Sequence, residues 1–140
     1  MKMLILFLSM FSFLSVLGQT KEDETSVKKV VKSFIKSGDD HNVGTLKSVL
    51  HNSYRLVWYG GKDAPFIADK SAFISKIAKK EWGGDERDVT VEHVEVFDGI
   101  NATAKVISDG MKTQMRSMFS LIKVDGEWKI IGELVNATFK

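Results

Sequence analysis

An α+β domain, helices first and a curved antiparallel sheet after them, is predicted by three observations on this sequence. Apolar residues from Val27 to Ile35 recur at helical spacing, the rhythm changes to period two after Asp88, and Asp-Gly pairs stand at 98–99, 109–110 and 125–126 between apolar runs. A helix with one apolar stripe and a sheet with one apolar face bury each other by packing together. The 140 residues suffice for one such domain and no second.

Ahead of the domain lies a stretch of different character. Met1 to Gly18 carries Lys2 as its only charge, followed by an uncharged Leu- and Phe-rich run from Met3 to Leu17. That run is shorter than the ~20 residues of a membrane-spanning helix and fits the roughly 7–15 of a signal-peptide core. Val16 and Gly18 supply the small residues before a cut at Gln19. Residues 1–18 are therefore expected to be a signal peptide and 19–140 the domain, exported to the periplasm or the medium; the competing reading is an uncleaved anchor. Without Lys2 the chain has 19 basic and 18 acidic residues, a balance that gives no field for nucleic acid or an anionic membrane. The absence of cysteine excludes a disulfide framework, thiolate metal sites and a thiol nucleophile.

In the first helix Val27, Val30, Val31, Phe34 and Ile35 form one stripe, Thr20 or Thr25 is expected to cap its start, and Gly38 suits the left-handed position past its end. A second short helix is expected over Val43–Leu50. Tyr54, Leu56 and Trp58 alternate with Arg55 and Val57 as a strand stopped by Gly60 and Gly61, and Asp69 caps a third helix bearing Phe73, Ile74 and Ile77 and ending near Trp82. Val89 and Val91 then lie on one parity and Val94 and Val96 on the other, which predicts a bulge near His93 or a strand buried on both sides. Asp98-Gly99, Asp109-Gly110 and Asp125-Gly126 are hairpin signals, so four antiparallel strands follow as a meander, the last from Trp128 to Phe139.

Two blocks carry a family likeness. His51-Asn-Ser-Tyr-Arg-Leu with Phe66-Ile-Ala-Asp-Lys-Ser-Ala-Phe73, and Met118-Phe-Ser-Leu-Ile-Lys-Val-Asp-Gly-Glu-Trp-Lys-Ile-Ile131, are similar to the lumazine-binding branch of the nuclear transport factor 2-like (SnoaL-like) superfamily. The resemblance spans Thr25 to Phe139 and implies a cystatin-like cone, three helices on a curved sheet, with an apolar pocket between them and dimerisation through the outer sheet face. Matched to the steroid isomerases of that superfamily, Phe34 stands where the oxyanion-hole Tyr belongs, Trp58 where the general-base Asp belongs and Ser120 where the protonated Asp belongs. None of these supplies the needed proton chemistry, so that activity is not expected. The same matching implies a ligand-binding set of Phe34, Tyr54, Leu56, Trp58, Arg116, Met118 and Ser120 facing inward, with Arg116 either a bidentate anchor for an anion or a solvated residue.

Other residues carry weaker signals. His51 and Tyr54 with Asp63 or Glu133 form a candidate acid/base set of dehydratase type, set against His51 packing at the cone rim on a backbone carbonyl. Asp39, Asp40 and His41 have metal-ligand side chains but follow Gly38 at a helix end, where a solvated turn is the expectation. Trp58 or Trp128 can stack on a flat heteroaromatic ring, and Met111, Met115 and Met118 can line an apolar pocket or serve as core. Asn101 and Asn136 open glycosylation sequons. The reading that results is an exported, non-catalytic domain that binds a small apolar or heteroaromatic molecule, as a homodimer, with no cofactor or metal. A dehydratase or isomerase and a protein-interaction module are the alternatives.

Overall fold

The computed structural model describes residues 2–59 and 64–140, with side chains from residue 18 onward. The apolar side chains of the expected signal peptide, the Gly60-Gly61 strand stop and Asp63 lie outside the described residues. The element order is α1 (Lys2–Asp39), α2 (Val43–Val49), β1 (Leu50–Trp58), β2 (Phe66–Asp69), α3 (Lys70–Ala78), β3 (Asp88–Phe97), β4 (Asn101–Asp109), β5 (Thr113–Val124) and β6 (Glu127–Phe139). The six strands form one sheet in the order β2-β1-β6-β5-β4-β3. The last four are the expected antiparallel meander, whereas β1 joins β6 in parallel and makes the sheet mixed.

The helical stripe packs as its spacing demands: Val27, Val31, Phe34 and Ile35 are buried with Leu46 of α2 and with Phe73 and Ile77 of α3. These side chains meet the inward residues of the sheet, among them Ala104, Val106, Phe119, Leu121 and Ile130, in one core. Phe34 is the hub of that contact, stacked on Phe73 at 5.5 Å and edge-on to Phe119 at 5.6 Å.

Several boundaries differ from the sequence reading. Neither Thr20 nor Thr25 caps α1, which already runs through both; Thr25 Oγ1 instead donates to the carbonyl of Lys21 one turn back. No proline interrupts this segment, so the helix propagates. At its other end Gly38 remains helical, and His41 takes the left-handed turn with φ 55°. Asn42 caps α2 by accepting from the Thr45 amide, and Asp69 caps α3 on the Ala72 amide as expected. Helix α3 stops at Ala78 rather than near Trp82, because Lys80 turns left-handed with φ 59° and closes on the Ile77 carbonyl. Strand β2, an edge strand of four residues, has no alternating pattern to announce it.

The turns separate into two kinds. Asp98-Gly99 and Asp125-Gly126 have positive φ at both residues, the type I′ geometry that the pairs predict. Asp109-Gly110 does not. Strand β5 starts only at Thr113, and the loop of Gly110, Met111 and Lys112 is held by Asp85, whose carboxylate accepts from the amides of Met111, Lys112 and Thr113 at 3.0–3.1 Å. A Cβ on Gly110 would lie 2.3 Å from Asp85 Oδ2, so glycine serves this approach of the carboxylate.

Two bulges set which residues face inward. The one expected near His93 is present, a register shift between Val91 and His93. A second, unannounced in the sequence, lies in β6. Leu121 pairs with Ile130 but Ser120 pairs with Gly132, which leaves Ile131 as the extra residue. Trp128 and Ile130 point inward before the bulge, and Glu133 and Val135 are the buried positions after it, while Leu134 is 55% exposed. Among the described residues no helix is long and apolar enough to cross a membrane.

Candidate functional site

Between α1, α3 and the sheet lies a cavity of about 310 Å³, at the lower end of the range typical of small-molecule sites. Strand β1 presents Leu56 and Trp58 to it, as the alternation predicts, and α1 presents Phe34 and Ile35. Phe73 and Trp82 form another wall, with rings 6.0 Å apart. Trp82 is held there because its carbonyl lies 3.1 Å from Nε2 of His41, in the left-handed turn after α1.

Of the four carboxyl groups in the lining, Asp39, Glu81, Asp85 and Glu133, the last is the one held by hydroxyls alone. The β6 bulge turns Glu133 inward opposite Leu56, where Ser117 Oγ donates to its Oε1 at 2.9 Å and the Tyr54 hydroxyl to its Oε2 at 3.0 Å. Burial pushes the Glu133 carboxyl up to about 7, against the two hydroxyl hydrogen bonds and the charge of Arg87. Burial raises Tyr54 well above the usual phenol value, and the neighbouring Glu133 charge adds to the effect. Arg87 is itself engaged. Its Nε donates to Asp39 Oδ1 at 2.8 Å, its Nη2 lies 2.5 Å from the same oxygen and its Nη1 reaches Met115 Sδ at 3.0 Å. Burial lifts the Asp39 carboxyl above its ordinary value despite this pair. Trp58 Nε1 is buried without an acceptor among the described residues.

The expected site residues divide into two groups. Phe34, Leu56 and Trp58 line the cavity, and Tyr54, fully buried behind them, reaches it through Glu133. Arg116, Met118 and Ser120 do not belong to it. All three lie on the outer face of β5, where Met118 is 45% exposed and pairs with the outward Leu134. Their inward neighbours are Ser117, Phe119 and Leu121, one residue out of phase, because β5 has apolar residues on both parities and the alternation alone does not fix its face. Of the three methionines Met115 lines the cavity, whereas Met111 is 88% exposed. Trp128 is core: its Nε1 donates to Asp23 Oδ1 and it takes no part in the cavity lining.

The acid/base set is likewise regrouped. Glu133 and Tyr54 meet, while His51 stands at the start of β1, outside the lining, with its Nδ1 accepting from the Ser53 amide rather than contacting a carbonyl. The turn after α1 is only in part solvated. Asp40 is exposed beside Lys36, but Asp39 is drawn inward by Arg87. Among the described residues no cluster of His, Cys, Asp or Glu is arranged to hold a metal ion. Arg87, Ser117 and Trp82 had no signal in the sequence that marked them as lining. The resulting arrangement can hold one flat ring among aromatic walls and exchange a proton at Glu133 near neutral pH.

Solved structures with the same fold include a nuclear transport factor 2-like protein of unknown function from Silicibacter pomeroyi, 13% identical, with TM-score 0.73 over 86% of this chain and 98% of that one. A second, from Shewanella baltica, is 12% identical with TM-score 0.74 over 84% and 94%. A third, from Methylobacillus flagellatus, is 14% identical with TM-score 0.71 over 84% and 93%. At such identities the likeness establishes the nuclear transport factor 2-like cone and nothing about activity. No curated protein matches the chain. One family model, described as putative lumazine-binding, matches residues 22–140, the whole α+β unit from the last turns of α1 through β6. The chain belongs to this putative lumazine-binding family, and its fold is the nuclear transport factor 2-like cone.

Proposed function

We propose that the protein is a small-molecule-binding domain whose ligand occupies the cavity between α1, α3 and the sheet. The observation that carries this reading is the cavity itself: about 310 Å³, walled by Phe34, Trp58, Phe73 and Trp82, with the buried Glu133 among its polar lining groups. Its size suits a one- or two-ring molecule, and the family description supports a flat heteroaromatic one. A thermal-shift screen of pterins, lumazines, flavins, steroids and small acids tests the reading. A ring compound near a hundredfold above its Kd raises the unfolding free energy by about 2.7 kcal/mol, and no stabilisation by any class refutes it.

Acid/base catalysis in the same cavity is a second reading, favoured by the Tyr54–Glu133–Ser117 contact. It requires turnover of a substrate that Glu133→Gln abolishes. Export is supported by Lys2 and the uncharged run to Leu17, and N-terminal sequencing of the native protein beginning at Gln19 is the expected result. The exposed pair Met118 and Leu134 on the outer sheet face supports a homodimer, which light scattering in solution tests.

A further inference from the structure

We infer that the cavity selects an uncharged planar ring that presents an N–H donor to the Glu133 carboxylate, and that it rejects anions of the same size. This rests on the ligand-binding reading above and deepens it by naming the recognition chemistry.

The polar inventory of the lining decides the sign. Ser117 Oγ and the Tyr54 hydroxyl each donate one hydrogen bond to Glu133, one on each oxygen. A carboxylate has about four acceptor positions, so this leaves two unfilled. The buried cation beside it is already committed. Arg87 is spent on Asp39 and Met115, and Thr113 Oγ1 donates to Asp85. Lys112 is exposed at the cavity edge, and Glu81 pairs with Lys76. A carboxylate or phosphate ligand would therefore meet Glu133 with no free cation among the buried lining side chains, and would carry an uncompensated charge into a mostly apolar space. A ring N–H instead supplies what Glu133 lacks, while the aromatic walls take the two faces of the ring. Trp58 Nε1, buried and unpartnered among the described residues, adds a preference for a ring that also carries a carbonyl or ring-nitrogen acceptor within its reach.

Binding of this kind is linked to protons. Facing Glu133 are Tyr54 from β1, Ser117 from β5, Arg87 ahead of β3 with its partner Asp39 at the end of α1, and the apolar Phe34, Phe73 and Ile77 from the helices. Tyr54 stays protonated through the neutral range, and burial lifts Glu133 into it. An N–H donor favours the ionised carboxyl. Affinity therefore rises as pH increases through about 7.

The test uses two isomeric dimethyl-lumazines of identical size, one methylated on the pyrazine carbons and retaining both N–H groups, the other methylated on the two pyrimidinedione nitrogens and retaining none. Titration of the full-length protein by quenching of tryptophan fluorescence, from about pH 5.5 to about pH 7.5, gives both Kd values. The expected result is at least tenfold tighter binding of the N–H isomer, tightening further with pH, and loss of both effects in Glu133→Gln. Equal affinity of the isomers in the wild type, or a pH-independent preference, overturns the N–H inference and leaves cavity binding standing. Binding by neither isomer, together with no stabilisation by any ring compound in the thermal screen, overturns the ligand-binding reading and the inference with it. Because the isomer comparison is made on the wild-type chain, it stands even where Glu133→Gln fails to fold.

Discussion

The Tyr54 hydroxyl on β1 donates to Glu133 Oε2 on β6 at 3.0 Å, across two parallel strands whose register sets Leu56 opposite Glu133. The bond fixes the side chain of a buried acid whose proton affinity burial raises to about 7, from an ordinary value of 4.5. Between those values the folded chain holds a proton that the unfolded chain has released. Its contribution to stability is full below about 4.5 and is lost as pH rises through about 7. Glu133→Gln removes this loss. Urea unfolding of the two proteins is expected to show the variant gaining roughly 1–3 kcal/mol on the wild type between about pH 5 and about pH 8. A difference that stays constant over that range would falsify the assignment.

Tyr54→Phe removes one of the two donors and leaves Glu133 Oε2 without that partner in a side chain only 8% exposed. A hydrogen bond to a charged group contributes about 1.5–3 kcal/mol, and one to a neutral group about 0.5–1.5. The cost of Tyr54→Phe is therefore expected to be larger at about pH 8, where Glu133 is ionised, than at about pH 5. In the Glu133→Gln background that pH dependence vanishes. A double-mutant cycle measured at both pH values checks this, and equal coupling at the two excludes a charge-assisted bond.

How much of this site the sequence disclosed depends on strand parity. Tyr54, Leu56 and Trp58 share one parity with only Arg55 and Val57 between them, and their inward placement was legible. Strand β5 has Met115, Phe119 and Leu121 on one parity and Met118 and Ile122 on the other, so alternation left its face open and the family matching selected the wrong one. Glu133 was hidden by a different cause. Continuing the Trp128–Ile130 parity places Leu134 inside and Glu133 outside, and only the extra residue Ile131 reverses them. The Asp39–Arg87 pair joins residues far apart in the chain, whose contact no local pattern encodes. The helices, the meander and two of three tight turns depended on local spacing and turn chemistry, and those were readable.

The Asp39–Arg87 pair ties the end of α1 to the segment entering β3, with side chains only 6% and 12% exposed. Removing one partner of a pair this buried strands the other charge, at a cost of about 3–5 kcal/mol. Arg87→Met is expected to destabilise by that order, and Asp39→Asn combined with Arg87→Met to recover a large part of it. Chemical unfolding of the single and double variants measures this. A double variant no more stable than the worse single one would show that the geometry of the pair, rather than the stranded charge, sets the cost.

Gly83 stands where the chain returns from Trp82 over the end of α1. Its φ is +85°, and a Cβ there would lie 2.1 Å from the carbonyl oxygen of Gly38. The adjacent amide of Gly84 donates to the Asp39 carbonyl at 3.1 Å, and His41 Nε2 holds the Trp82 carbonyl, so the segment has little freedom to shift. Gly126 offers a matched control, with a similar φ of +79° but nothing within 4 Å of the added Cβ. Gly126→Ala therefore reports the left-handed backbone penalty alone, about 1–2 kcal/mol, while Gly83→Ala adds a clash that two backbones must relieve. Gly83→Ala is expected to cost at least ~2 kcal/mol more than Gly126→Ala by urea unfolding. Because the displaced segment carries Trp82, the same substitution is also expected to weaken ligand quenching, which Gly126→Ala leaves unchanged. Equal stability losses in the two variants would mean that the Gly38 contact opens readily, and that the Trp82 wall of the cavity is free to move.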